Sequence, residues 1–152
     1  MSLILPQFTE SKLLYRWSRD GQSNRRMHEL VDNQGPILVL VQTKDNYKFG
    51  AFANRSWDQI GGWRKCKKSY LFSVSDGKLR RPFLCPVKSE AKEICYQALF
   101  FSEKYGLVFG RNDLSLDFDN MKNSKSKLGM TYSAVEEFGE YGLAGKHTDW
   151  DV

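Results

Sequence analysis

Three cysteines, two histidines and an adjacent pair of glutamates are the side chains of this sequence best suited to chemistry. Cys66, Cys85 and Cys95 are widely spaced, and no CxxC or HExxH pair offers the spacing of a local zinc chelate. The sequence also contains no GxGxxG or GxxxxGK[ST] phosphate loop and no GxSxG nucleophile elbow. We therefore expect no metal site, no cofactor and no catalytic constellation.

Cys66 carries the one chemical alternative, a redox thiol or a thiol-based enzyme. It lies in the segment Arg64-Lys65-Cys66-Lys67-Lys68, and neighbouring cations favour the reactive thiolate. The other acid–base candidates are His28 and the pair Glu136-Glu137. Adjacent residues point in different directions on a strand or helix, so we expect the two glutamates to lie on a solvated surface.

The charge of the chain is unevenly distributed. Its 152 residues carry a net charge of +5, but residues 1–135 carry +9 and residues 136–152 carry −4. A basic body favours encounters with acidic partners. Nucleic-acid binding is the weaker alternative, because the sequence shows no RNP, KH or helix-turn-helix signature. The candidate partner-binding residues are Arg64, Lys65, Lys67, Lys68, Glu136 and Glu137.

Two tryptophan clusters stand out among the aromatic residues, Ser56-Trp57-Asp58 and Gly62-Trp63. Ser56 is predicted to cap a single helical turn that contains Trp57 and Asp58. The indole rings are predicted to be core anchors beneath a loop, in preference to an exposed binding site. The structural anchors predicted from these clusters and from the pair before Gly21 are Trp57, Asp58, Gly62, Trp63, Arg19 and Asp20.

The remaining pattern predicts short elements. Ser23 is expected to cap a helix over residues 24–32, with Gly35 as its left-handed stop. Strands are expected at residues 37–43, buried on both faces, and at 47–53, 70–75, 83–87 and 114–118, with a hairpin turn at Asp76-Gly77. A short helix capped by Ser89 is expected to pass into a strand near residues 98–101.

Many short strands with Gly and Asp turns predict a mainly β (α+β) domain, a two-sheet antiparallel β-sandwich edged by one to three short helices. The pattern alone is also compatible with barrel closure. Residues 1–152 are expected to form one domain. The odd number of cysteines and the absence of a long apolar run predict free thiols, no membrane insertion and a cytoplasmic location, with the nucleus as an alternative.

Nine short motifs occur in an order that resembles the TLDc domain family, over residues 13 to 152. The motifs are Leu14-Tyr15-Arg16 with Ser18-Arg19-Asp20-Gly21, Asp32-Asn33-Gln34-Gly35-Pro36, Phe49-Gly50-Ala51-Phe52, Ser56-Trp57-Asp58 with Gly62-Trp63, Tyr70-Leu71-Phe72-Ser73, Tyr105-Gly106-Leu107-Val108-Phe109-Gly110, Asp113-Leu114, Leu128-Gly129 and Leu143-Ala144-Gly145. The sequence departs from the family at Leu107, where Pro is usual, and at Arg111-Asn112, where a Gly-His pair is frequent.

The resemblance implies a β-sandwich without an established reaction. It also implies binding to the cytosolic subunits of a vacuolar-type proton ATPase, recruitment to endomembranes through that partner, and a link to resistance against oxidative stress. Trp150-Asp151-Val152 resembles the start of the family's last strand. The resemblance therefore implies a strand that lacks its end, in a domain excised from a longer chain.

Overall fold

The computed structural model describes residues 10–75, 81–88 and 93–152, which form two open antiparallel sheets of four strands each. The helices are α1 (Trp17–Asp20) and α2 (Asn24–Val31), with 3₁₀ helices at Ile94–Gln97 and Met121–Asn123. The strands are β1 (Ile37–Gln42), β2 (Lys48–Ala53), β3 (Gly62–Arg64), β4 (Ser69–Ser75), β5 (Phe83–Pro86), β6 (Leu99–Phe101), β7 (Leu107–Phe109) and β8 (Leu114–Leu116). The predicted two-sheet sandwich with short helices is confirmed.

The first sheet has the order β1-β2-β4-β5 and contains the predicted hairpin. At its turn the Asn46 N–H donates to the carbonyl of Thr43 (3.0 Å), and Asn46 adopts a left-handed φ of 67°. Asparagine tolerates this conformation better than most residues, which explains its position in the turn. The predicted turn at Asp76-Gly77 lies outside the described residues.

The prediction that the first strand is buried on both faces is wrong. β1 is an edge strand, and its outward side chains Leu38 and Leu40 are 41% and 70% exposed. A continuous apolar run is typical of a buried strand, but it cannot distinguish a covered face from an apolar face left open to solvent. Only Ile37 and Val41 of this strand are buried in the core.

The second sheet has the order β3-β6-β7-β8. Along its strands, successive side chains alternate between the core face and the outer face. In β6, β7 and β8 the two end residues are buried and the central residue is partly exposed. The predicted alternation after residue 113 is therefore confirmed, as is the helix-to-strand transition before Phe101. Its proposed cap, Ser89, lies outside the described residues.

Helix α2 begins as predicted, because the Ser23 hydroxyl accepts a hydrogen bond from the N–H of Arg26 (3.0 Å). The predicted stop needs a correction. The helix ends at Val31, and the first left-handed residue after it is Asn33 (φ 60°), before Gly35 (φ 93°). Asparagine takes the left-handed conformation at lower cost than other residues with side chains, so the helix ends before the glycine.

One apolar core joins the two sheets, and Trp57 lies at its centre. The Trp57 ring is completely buried, 4.7 Å from the Phe101 ring and 5.2 Å from the Phe109 ring between centroids. The buried Tyr132 adds a polar link between the sheets. Its hydroxyl lies 2.8 Å from the Ser69 hydroxyl and donates to the carbonyl of Ala98 (2.9 Å).

A buried carboxylate organises the chain after the second sheet. Asp113 accepts backbone hydrogen bonds from Gly129 (3.1 Å), Thr131 (2.9 Å) and Tyr132 (3.0 Å). Burial raises its pKa, although these backbone N–H groups act in the opposite direction. A Cβ atom at Gly110 would lie 2.3 Å from the Asp113 carboxylate, so only glycine fits there.

Candidate interaction surface

The loop between β3 and β4 borders an open depression of about 370 Å³ on the protein surface. Most of its lining residues are basic, and we call the depression the basic basin. It is lined by Asn54, Arg55, Lys65, Cys66, Lys67 and Lys68. Arg55 holds the two bordering loops together, because its Nη1 donates to the carbonyl of Lys65 (3.2 Å). The structure thus brings together three of the predicted partner-binding lysines.

The described part of the chain places no acidic partner beside the cations of the basic basin. No ion pair joins Arg55, Lys65, Lys67 or Lys68 to an acidic residue within the ranges 10–75, 81–88 and 93–152. Lys65 contacts an aromatic ring instead, with its Nζ 4.7 Å from the centre of the Tyr96 ring. Cations gathered around a concave surface produce a positive potential that attracts an acidic partner.

Arg64 lies apart from the basic basin, although it belongs to the same sequence segment. Its side chain turns to the other side of β3, where the guanidinium lies 5.0 Å from the centre of the buried Phe101 ring. Its Nη1 donates to the carbonyl of Gly61 (2.9 Å), and its Nη2 lies 3.5 Å from Asp58. These contacts hold the Arg64 guanidinium against the domain, so its role is structural.

Glu136 and Glu137 are exposed, and neither lines the basic basin. Glu137 forms an ion pair with Arg81 (2.9 Å), and the Arg81 guanidinium lies 5.4 Å from the centre of the Phe138 ring. Among the described residues, the acidic candidates thus have surroundings different from those of the basic ones.

Cys66 lines the basin but is buried, as are Cys85 and Cys95, and all three are free thiols. A reactive thiol needs solvent access as well as positive neighbours, and burial removes the first of these. Burial and the nearby Asp113 raise the pKa of the Cys85 thiol to about 12. The geometry gives no support to the redox alternative.

The loop that carries Trp57 differs from its prediction in one respect. Residues 54–60 form no helical turn, and the Ser56 hydroxyl accepts a hydrogen bond from the N–H of Gly35 (2.7 Å). The predicted helix cap at Ser56 is therefore wrong, because its hydroxyl accepts from Gly35, which is far away in the sequence, and not from the residues that follow it. Asp58 instead stabilises the following turn by accepting from the N–H of Ile60 (2.9 Å). Trp57 is a core residue as predicted.

Trp63 is not a core residue, and its predicted burial is wrong. It lies on the outer face of β3, 40% exposed, with its ring 5.0 Å from the Phe100 ring. The reason is the period of a strand, because successive side chains point to opposite faces and the next residue, Arg64, points towards the buried Phe101 ring. Gly62, which precedes it, has a φ of 95° that favours glycine.

Arg19 and Asp20 form a local pair at the end of α1. The Arg19 Nη2 lies 2.7 Å from the Asp20 carboxylate, which also accepts from the N–H of Arg16 (2.7 Å). The Arg19 hydrogen bond lowers the pKa of Asp20 to about 2. Burial and the charge of Asp20 raise the pKa of Tyr15 to about 12. The pair orders the turn that leads into α2.

His28 is buried in α2, and both of its ring nitrogens face oxygen atoms. Nδ1 lies 2.9 Å from the Asp32 carboxylate, and Nε2 lies 2.6 Å from the carbonyl of Tyr105. These contacts connect α2 to the loop before β7, and no cysteine in the described ranges lies among the hydrogen-bond partners of His28.

Within residues 10–75, 81–88 and 93–152, no group of three or more His, Cys, Asp or Glu side chains is arranged to hold a metal ion. No helix in the same part of the chain combines the length and apolar character needed to cross a membrane.

Sequence reasoning missed several residues of this surface. The missed residues come from different loops and strands, and only the fold places them near Lys65 or Trp63, or beside one another. They are Arg55, Tyr96, Phe100 and Tyr105. Arg55 offers no local signal, since it lies ten residues before Lys65. The exposed position of Phe100 could have been inferred from the alternation of β6, had the strand boundaries been known.

Comparison with known proteins identifies the class of this domain. Residues 1–148 match the TLDc domain, and the chain belongs to that family. It is 31% identical over 64 residues to the mTOR-associated protein MEAK7 of Mus musculus, covering 42% of this chain and 14% of that protein. It is 30% identical over 77 residues to the same-named protein of Xenopus laevis, covering 49% and 17%. The chain thus spans less than a fifth of the length of these relatives.

Proposed function

We propose that this TLDc domain is a non-catalytic protein-interaction module that binds an acidic surface of its partner through the basic basin. The observation that carries the proposal is the cluster of Arg55, Lys65, Lys67 and Lys68 around one open depression, without acidic partners in the described parts of the chain. Complementary charge steers encounter and fixes orientation more than it adds affinity. The positive charge of the basin therefore explains how the domain would recognise acidic partners.

The proposed partner is the cytosolic sector of a vacuolar-type proton ATPase, whose assembly or activity the bound domain alters. Support for this partner comes from the family to which the chain belongs. The domain would act in the cytoplasm, reach endomembranes through the pump and contribute to resistance against oxidative stress. The relatives from mouse and frog carry the name mTOR-associated, so regulatory complexes that contain mTOR are the second proposed class of partner.

The test is a quantitative pull-down from cytosolic extract at low ionic strength, with the chain as bait and mass spectrometry as the readout. The wild-type chain is expected to enrich cytosolic subunits of the pump. Combined Lys65→Glu, Lys67→Glu and Lys68→Glu substitutions are expected to lower that enrichment on the order of tenfold or more, because they reverse the charge of the basin.

A matched control separates the basin from net charge. Lys44, Lys48 and Lys146 are also exposed, and none of them lines the basin. Changing these three lysines to glutamate alters the net charge by the same amount and is expected to leave enrichment unchanged. Equal loss in both triple variants would contradict the basin, and failure of the wild type to enrich any pump subunit would contradict the proposed partner.

A separate test addresses the alternative function, in which Cys66 acts as a redox thiol. Substitution of Cys66 by serine is expected to preserve both partner enrichment and protection of cells against peroxide, because the thiol is buried and the lysines carry recognition. Cell survival under peroxide, measured at equal expression of wild type and variant, checks this expectation. Loss of protection with retained enrichment would establish a redox role for Cys66.

A further inference from the structure

The outer face of the second sheet carries a row of side chains that the core does not use. Trp63 in β3 lies opposite Phe100 in β6, and Phe100 lies opposite Val108 in β7. The Tyr105 ring adjoins the row, 6.2 Å from the Phe100 ring. We call these four residues the aromatic strip. None of them belongs to the core, which takes the neighbouring residues of each strand.

The aromatic strip is open to solvent and suited to binding. Trp63 and Tyr105 are 40% and 57% exposed, and Phe100 and Val108 are partly exposed. Tryptophan and tyrosine are enriched among the residues that contribute most to protein interfaces, since large rigid rings bury much area at low entropic cost. Contiguous exposed apolar groups with polar surroundings are typical of such interfaces.

The free edge of β3 is not the binding feature. Arg64 folds back along this edge, and its Nη1 donates to the carbonyls of Gly61 (2.9 Å) and Trp63 (3.2 Å). The guanidinium thus covers these carbonyls and competes with the backbone of any added strand. A partner must approach the face of the sheet, where the side chains of the strip project.

The aromatic strip and the basic basin adjoin each other through Lys65. This lysine follows β3 directly, lies in the lining of the basin, and places its Nζ 4.7 Å from the centre of the Tyr96 ring. Residues two apart in extended chain lie on the same side, about 7 Å apart, so Lys65 and Trp63 project together. An apolar surface thus borders a positively charged one.

We propose that the strip and the basin form one docking surface for an acidic protein segment that carries a large apolar side chain. The apolar side chain packs on Trp63 and Phe100, while carboxylates of the segment face Lys65, Lys67 and Lys68. The charge of the basin selects the acidic segment, and the strip supplies affinity by burying apolar area. This inference rests on the proposed function and specifies the chemistry of the partner segment.

Three synthetic peptides of equal length test the inference with the full chain. The first is rich in Asp and Glu and has a central Phe, the second replaces that Phe by Ser, and the third replaces the acids by Asn and Gln. By fluorescence anisotropy at low salt, the first peptide is expected to bind on the order of tenfold more tightly than the second. The third is expected to bind more weakly than the first.

Variants locate the effect on the strip. Trp63→Ala is expected to remove the difference between the first two peptides, while Leu40→Ala, an exposed apolar substitution on the other sheet, is expected to preserve it. Binding to the unmutated chain gives an independent readout. The indole N–H signal of Trp63 in NMR spectra is expected to shift on titration, and those of the buried Trp57 and Trp150 are expected to stay in place.

The possible failures are distinguishable. Equal binding of the first two peptides, or an unmoved Trp63 signal at saturation, overturns the role of the strip and leaves the basin intact. Equal binding of all three peptides overturns the choice of an acidic segment. Absence of binding by both acidic peptides overturns the basin as well, and with it the proposed function.

Discussion

At the scale of single residues, the contrast between Trp57 and Trp63 separates folding from recognition. The two rings are six residues apart, but Trp57 is buried in the core against Phe101 and Phe109, and Trp63 rests on the outer surface of the second sheet. The Trp57 Nε1 is buried without a hydrogen-bond partner in the described residues, so its ring contributes through packing alone. The Trp63 ring contacts the Phe100 ring on that surface. Only the second ring is available to a partner.

The first prediction follows from this contrast. Trp57→Ala is expected to lower the free energy of unfolding by roughly 3–5 kcal/mol, because it leaves a large cavity in the core. Trp63→Ala is expected to lower it by about 1 kcal/mol, because much of the ring is already in water. Chemical denaturation of both variants measures these two losses in the free energy of unfolding. Similar losses would show that Trp63 belongs to the core after all.

The second prediction concerns Asp113. Asp113→Ala removes the carboxylate that accepts from the N–H groups of the buried Thr131 and Tyr132, and each buried group left without a partner costs about 1–3 kcal/mol. The Gly129 N–H keeps the Tyr132 carbonyl as a second acceptor (3.0 Å). We expect a loss of at least about 2 kcal/mol in the free energy of unfolding. The same substitution at the exposed Asp45 is the control and is expected to have little effect. A small effect at Asp113 would mean that water replaces the carboxylate.

The third prediction is the pH dependence of the same group. Burial raises the pKa of Asp113 in the folded protein, so the folded state holds this proton more tightly than the unfolded chain. The proton-linked contribution of Asp113 to stability is therefore fully present below its unfolded pKa and is lost as the pH rises through its folded pKa. NMR titration of the Asp113 carboxyl group is expected to give a pKa above the roughly 3.9 of an aspartate in a model peptide. A pKa at or below that value would show that the backbone hydrogen bonds dominate.

At the scale of elements, close contact between β1 and β2 depends on a glycine. A Cβ atom at Gly50 would lie 2.0 Å from the backbone carbonyl oxygen of Val39 and 2.8 Å from the Phe72 ring. Neither strand can move away without breaking the pairing that aligns Leu40 with Gly50. The glycine therefore sets the distance at which the edge strand packs.

The fourth prediction compares two glycines. Gly50→Ala is expected to cost at least about 2 kcal/mol, because the added methyl group overlaps fixed backbone. Gly35→Ala is expected to cost about 1 kcal/mol, because its surroundings are empty and only its φ of 93° is unfavourable. Thermal unfolding of both variants gives the comparison. A smaller loss at Gly50 would show that β1 separates from β2 easily.

The elements show how far local sequence patterns determine this fold. Ser23 and the alternation after Asp113 predicted α2 and β8, because caps and strand periods are local properties. The exposed face of β1 and the partner of the Ser56 hydroxyl were predicted incorrectly. Both depend on which elements become neighbours, and such long-range pairing leaves little mark on a short segment.

At the scale of the whole molecule, the proposed docking surface combines positive charge with apolar area. Lys65 lines the basic basin and directly follows β3, which carries Trp63 of the aromatic strip, whereas Glu136 and Glu137 do not line the basin. The sequence predicted three of the basin lysines, because charged residues were clustered in one segment. It could not predict Arg55 or the strip, since these come together only when distant strands pair.

The most direct measurement is hydrogen–deuterium exchange of the chain with and without the purified cytosolic sector of a vacuolar-type ATPase. We expect slower exchange on binding in residues 62–68 and 96–108, which contain the lysines of the basic basin and the aromatic strip, and little change in β1 and β2. Protection confined to β1, β2 or residues 136–140 under saturating partner would contradict docking on the outer face of the second sheet.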